Sequence, residues 1–335
     1  MADTVLNDAF VSKAADNNAD VSEKLLVPID LSMCTGNNQK RAVHIINTVA
    51  QNSKLGKELL EEVAKNGYQI RMFGACGWGG CVSQDTKTLT LNCMCSDDEL
   101  MQVICHEARH VQQFSKGLEG DCNRYDFKGA VMSHRAKEAD AQAASCAVCY
   151  DLMQKGIEGP MKAFAKDDPL IAQGFMDACK DKTGPVTTQM MRGAFEGWYK
   201  NEEMVLRYEY GYLRDGGLSY SWDERNHPET FYNKSISSKE IVESICVSPS
   251  GKCYWENDPN VLEQPEKLAI TESTQKKCKQ AFMIRKSAFD LEEDKTYQTL
   301  PLREELKAQK QKSANSNTAI SANVAARLMA ARRGR

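Results

Sequence analysis

Residues 96–117 read SDDELMQVICHEARHVQQFSKG, and their spacing predicts a helix that carries chemistry. Ser96 stands at the N-cap position, with Asp97, Asp98 and Glu99 filling the first turn. A Ser cap and a Glu three residues on satisfy two orphan N–H groups, and acids suit the positive end of the helix dipole. Gly117 supplies the stop. At about 100° per residue, Leu100, Val103, Ile104, Val111 and Phe114 share one apolar arc. Glu107 falls near the middle of that arc, and His106 and His110 lie on its edge. A carboxylate on a buried face is costly without a partner, so a cavity or a metal is expected beside it.

The spacing of the pentad His106-Glu107-Ala108-Arg109-His110 makes chemical sense. Histidines at i and i+4 lie on one side of a helix, so both imidazoles can reach one ion. Neutral imidazole suits Zn2+, which in catalytic sites takes three protein ligands and a water. A glutamate between the histidines can act as general base on that water. Arg109 points away from the arc, toward solvent or an acidic neighbour.

A third ligand is expected downstream, where residues 133–143 read SHRAKEADAQA and lead into Ala144, Ala147 and Val148. Small residues let two helices approach closely. Glu138 shares its face with Ala141, Ser145, Cys149 and Leu152, and is the favoured ligand. Asp140 lies about 200° away on the same helix, an alternative ligand or a group that orients one. His134, one turn before Glu138, is a ligand, a transition-state donor or simply a helix-start residue.

The run His-Glu-x-Arg-His-x-x-Gln, ending at Gln113, with the later Glu138-Ala139-Asp140, resembles bacterial HExxH metallopeptidase domains, zincin-like and of the glutamate-ligand type. The resemblance covers about residues 68–155. It implies one catalytic zinc ion held by His106, His110 and Glu138, with Glu107 as general base in peptide-bond hydrolysis. It also implies that the strand before the active helix, about Thr86 to Asn92, binds peptide by edge pairing. Two departures stand out. The charged Arg109 occupies a position usually uncharged, and Gln142 stands where thermolysin-like enzymes place an acid. Tyr125, Tyr199, Tyr208 and His227 are all candidates for oxyanion donor.

The surrounding pattern predicts an α+β fold, a small sheet beside the active helix and a mostly helical remainder. Apolar residues recur at helical spacing from Asn38 to Asn66, before Gly67. Tyr68 to Phe73 and Thr86 to Asn92 alternate as strands, forming a hairpin or a neighbouring pair across a glycine-rich connection. Further helices are expected at about 133–155, 172–180, 189–213 and 273–288. Four regions follow: a flexible leader (1–37), a metallopeptidase-like domain (38–215), a mixed helical and loop extension (216–302), and a basic, disordered tail (303–335).

The chain has 335 residues, enough for a large core without staples. Its net charge of −3 gives no reason to expect nucleic acid. From Lys307 onward every charge is basic, an address or partner-binding segment if it is not simply solvated. No apolar run spans a membrane, and no secretory signal opens the chain. Thirteen cysteines, an odd number, read as reduced thiols in a cytoplasmic protein, with export lacking a standard signal left open. Cys146 and Cys149 read as packing thiols, and the spacing of Cys76, Cys81, Cys93 and Cys95 fits no zinc ribbon. The expected partner is a peptide or protein substrate. The competing reading is a catalytically inactive scaffold used for interaction or regulation, even as an exported effector.

Overall fold

The computed structural model describes residues 24–74, 79–118, 124–181, 183–218 and 226–313. Most of them are helical, and one three-stranded sheet completes an α+β fold. The stretch that opened the sequence reading forms α3 (Asp97–Ser115). Ser96 Oγ accepts from Glu99 N, and the Glu99 carboxylate accepts from Ser96 N, the capping box expected there. The chain leaves the helix at Gly117, whose φ of +84° favours glycine.

Helix α4 (Phe127–Gln154) is the hub of the body and starts six residues before the expected Ser133. Asp126 caps it by accepting from Gly129 N at 2.7 Å. Ala136, Ala139, Ala143, Ala144 and Ala147 have no exposed surface, so neighbouring helices approach on several sides. Those neighbours are α3, α5 (Gly159–Asp167), α6 (Pro169–Asp177) and α7 (Thr188–Lys200). Cys146 and Cys149 are fully buried here, and burial pushes both thiols up, as packing thiols should be. Ser145 Oγ donates to Gln102 O at 2.7 Å and ties α4 to α3.

The helix expected over 38–66 is two helices, α1 (Gly36–Asn52) and α2 (Lys54–Lys65). The break is Ser53, in extended conformation, which accepts from Gly56 N and donates to Asp151 on α4 at 2.7 Å. Apolar spacing continues through the break, so periodicity alone could not show it.

The strands are β1 (Gln69–Met72), β2 (Gly80–Ser83) and β3 (Thr88–Leu91), in the order β1-β3-β2. β1 and β3 are the neighbours foreseen but run parallel, Ile70 opposite Leu89, so they are not a hairpin. The hairpin is β2–β3, with Cys81 opposite Thr90. β3 is therefore central, and the sheet edge beside α3 belongs to β2, where the expectation had placed β3.

Contacts also involve three of the other expected regions. Val27, Ile29 and Leu31 are buried, and Ile70 N donates to Asp30 O at 2.9 Å, so packing begins within the expected leader. The described part of 216–302 is joined to the helical body: the Arg135 guanidinium donates to Lys267 O and Ala269 O at 2.7 and 3.0 Å. Residues 303–313 are helical, with Lys307 paired to Glu202 and Lys310 to Glu266. The first 23 residues, Cys76, and the basic tail from residue 314 lie outside the described residues. Among the described residues, no helix is long and apolar enough to cross a membrane.

Candidate metal centre

Helices α3 and α4 pack side by side, and their shared face brings together three donors separated by up to 32 positions in sequence. His106 Nε2 and His110 Nε2 lie 3.1 Å apart. Glu138 Oε2 is 3.5 Å from His106 Nε2, and Glu138 Oε1 is 3.6 Å from His110 Nε2. Ligand bonds of about 2.0–2.1 Å at tetrahedral angles put donors roughly 3.3 Å apart, so two imidazoles and a carboxylate at these separations fit one small cation. Of the candidates for third ligand, Glu138 joins the pair. Asp140 and His134 do not.

The group opens onto a cleft of about 1080 Å³. β2 with its flanking turn lines the cleft, as do Gln102, Asp167, Asp168 and Arg207. Glu107 faces the cleft with 7 % of its surface exposed. Burial raises its carboxyl above the usual range, against the pull of His106 and His110. Burial also works against charge on Glu138, yet His110 and His106 beside it bring that carboxyl well below its ordinary value. Burial opposes charge on His110 too, but the Glu138 carboxylate prevails and raises it to about 9.

β2 lies close over α3 because Gly79 and Gly80 have no side chain. A Cβ at Gly80 would stand 2.6 Å from Val103 Cγ1, 2.9 Å from Thr90 O and 3.3 Å from Glu107 Cγ.

Tyr208 and Tyr212 form an aromatic wall, their rings stacked at 5.3 Å, with His134 4.9 Å from Tyr212. Tyr208 ends α8 (Glu202–Tyr208), and Tyr212 follows in a π-helix (Glu209–Gly217), a conformation frequent at functional sites. The π-helix is anchored by Glu209, which accepts from Arg135 and Thr271 in the protein interior. His134 is 5 % exposed, and burial lowers it to about 3, so it is a neutral imidazole. Its Nε2 has no partner among the described residues.

Of the four candidate oxyanion donors, Tyr208 lines the cleft. Tyr125 is paired in a bridge with Lys234, Tyr199 packs on Trp198 and Phe195, and His227 is exposed beside Glu229. Tyr212, Asp168 and Arg207 escaped sequence reading. For Tyr212 a signal existed, because its spacing of four from Tyr208 places both rings on one helical face.

Arg109 is held by the acidic neighbour that was one of its two expected surroundings. Its Nε donates to Asp140 Oδ2 at 2.8 Å and its Nη2 to Asp140 Oδ1 at 3.0 Å. Gln142, at the position where an acid would support a thermolysin-like site, instead donates to Asp168 at 3.2 Å.

Two imidazoles and one carboxylate gathered beside a buried glutamate make this α+β protein a candidate metalloprotein with its centre in an open cleft. The family model described as "Putative metallopeptidase family (DUF6782)" matches residues 22–255, more than half of the chain, and the chain belongs to that family. The match spans every residue of the candidate centre and crosses the boundary expected at 215/216. No curated protein and no solved structure matches the chain.

Proposed function

We propose that this protein is a zinc-dependent peptidase of zincin-like type, with His106, His110 and Glu138 as metal ligands and Glu107 as general base. The observation that carries the reading is the triangle of donors at 3.1, 3.5 and 3.6 Å with a cleft-facing glutamate on the same helix turn. A zinc ion held there supplies Lewis acidity, polarising a carbonyl and acidifying water.

The chain's own residues do the rest. Glu107 takes a proton from water at its carboxylate and passes it to the leaving amine. Its raised proton affinity suits a group that must both accept and release. The Tyr208 and Tyr212 hydroxyls are our candidates for hydrogen-bonding an oxyanion, a reading supported by both side chains lining the cleft. β2 offers its backbone to an extended peptide, a role that passes to it from the now central β3. Peptide or protein is thus the substrate class.

The test compares wild type, Glu107→Gln and His106→Ala, each supplied with zinc and a mixed peptide library. Glu107→Gln is expected to keep stoichiometric zinc and lose cleavage, while His106→Ala loses both. Zinc binding without cleavage by wild type would favour an inactive scaffold, and absence of zinc binding would remove the metal centre.

A further inference from the structure

Of the two histidines of the proposed centre, one is held from behind and the other is not. His106 Nδ1 is buried with no partner among the described residues. His110 Nδ1, in contrast, lies 2.8 Å from Gln113 Oε1, one turn further along α3.

The orientation of the Gln113 amide follows from its other contacts. Its Nε2 faces two acceptors, Lys137 O at 3.0 Å and Asp140 Oδ2 at 2.8 Å. A carbonyl oxygen there would meet two oxygens, so the amide nitrogen must point to α4 and Oε1 must point to His110. Oε1 can only accept. His110 Nδ1 therefore carries a proton, and once the ring is neutral its lone pair falls on Nε2, the atom that faces His106 and Glu138.

Asp140 is in turn fixed on every side. It accepts two hydrogen bonds from Arg109 and one from Tyr254 Oη at 2.8 Å, and has no exposed surface. Arg109 Nη2 also donates to Ile245 O and Val247 O at 2.6 and 3.0 Å. Asp140 thus cannot turn away from Gln113 without leaving a buried guanidinium and a buried phenol unmatched.

We propose that Gln113 and Asp140, clasped by Arg109 and Tyr254, are positioning residues that hold His110 in its Nδ1–H form with Nε2 presented to the metal. The proposal rests on the zinc-site reading above and deepens it. It also gives one physical job to four residues outside the ligand set: the Arg and Gln of the His-Glu-x-Arg-His-x-x-Gln run, the Asp after Glu138, and a tyrosine more than a hundred positions away.

Two measurements on the full chain test it. First, the zinc-loaded protein with 15N-labelled histidine should show a slowly exchanging Nδ1–H on His110 and zinc on its Nε2. A spectrum with the proton on Nε2 overturns the proposal without any variant. Second, zinc affinity is measured by chelator competition for wild type, Gln113→Met, Tyr254→Phe and His106→Ala. Gln113→Met should weaken zinc by about 10–100-fold and speed exchange of the remaining Nδ1–H, with Tyr254→Phe weaker in the same direction. If Gln113→Met binds zinc like wild type while His106→Ala does not, the relay is wrong and the metal centre stands. If His106→Ala and wild type bind zinc equally, the centre itself is wrong and the relay falls with it.

Discussion

Arg109 and Asp140 face each other across the α3–α4 interface through hydrogen bonds of 2.8 and 3.0 Å, with side-chain exposures of 3 % and 0 %. Gln113 links the pair to His110, one of the proposed ligands. Removing one member leaves the other as an unmatched buried charge, which costs about 3–5 kcal/mol. Arg109→Met is therefore expected to shift the urea midpoint of the metal-free protein sharply downward. Arg109→Met/Asp140→Leu should recover part of the loss, because an apolar pair needs no counter-charge although Tyr254 Oη loses its acceptor. A single variant as stable as wild type would contradict this account.

Metal uptake should depend on pH in a stated direction. Burial opposes charge on His110, but Glu138 raises it to about 9, so the metal-free centre holds a proton at neutral pH. A metal must displace that proton. Apparent zinc affinity is thus expected to rise about tenfold per pH unit between roughly pH 7 and 8.5 and to level off above about 9. Glu138 is ionised throughout and adds no slope. Competition titrations at two pH values check this, and a flat profile would contradict it.

Asp168 lies in the cleft wall, where burial raises its carboxyl to about 6. The folded state then binds this proton more tightly than the unfolded chain does. Stability is fullest below the ordinary value of 3.8 and declines as pH rises through about 6. Asp168→Asn keeps an oxygen for Gln142 and removes the buried charge. We expect it to stabilise the metal-free protein at pH 7.5 by on the order of 2 kcal/mol, with little gain at pH 4. Thermal melts at the two pH values give the comparison.

Gly80→Ala tests the closeness of β2 to Glu107, the proposed base. The added carbon would press on Val103, on the Thr90 carbonyl and on Glu107. Sub-ångström displacement of a catalytic group is expensive in rate. Peptide turnover should fall about tenfold or more, while zinc affinity stays at the wild-type level, since no ligand is touched.

The active helix was legible because three independent signals coincide in one stretch: Ser96 with Glu99, the apolar arc, and the His106/His110 spacing. Glu138 was legible for a related reason, a carboxylate amid small residues on a packing face. β2 was not, since four residues with no clear alternation of burial leave little pattern. The start of α4 was hidden by Gly129, which reads as a turn residue but here receives the Asp126 cap. Val27, Ile29 and Leu31 did alternate, and their burial could have been foreseen. The outer partners of the Arg109–Asp140 pair could not, because Ile245 and Val247 lie 136 and 138 positions from Arg109, and Tyr254 lies 114 from Asp140.

Those separations have a consequence for how the molecule comes into being. α3 and α4 leave the ribosome long before residues 245–254 are synthesised. Until that last stretch docks, Asp140 and Arg109 lack their outer partners, and closing so long a loop must precede the contacts that reward it. The centre is thus completed late, when most of the polypeptide already exists. If the centre cuts peptides as proposed, that order keeps the nascent protein inert beside its neighbours on the ribosome.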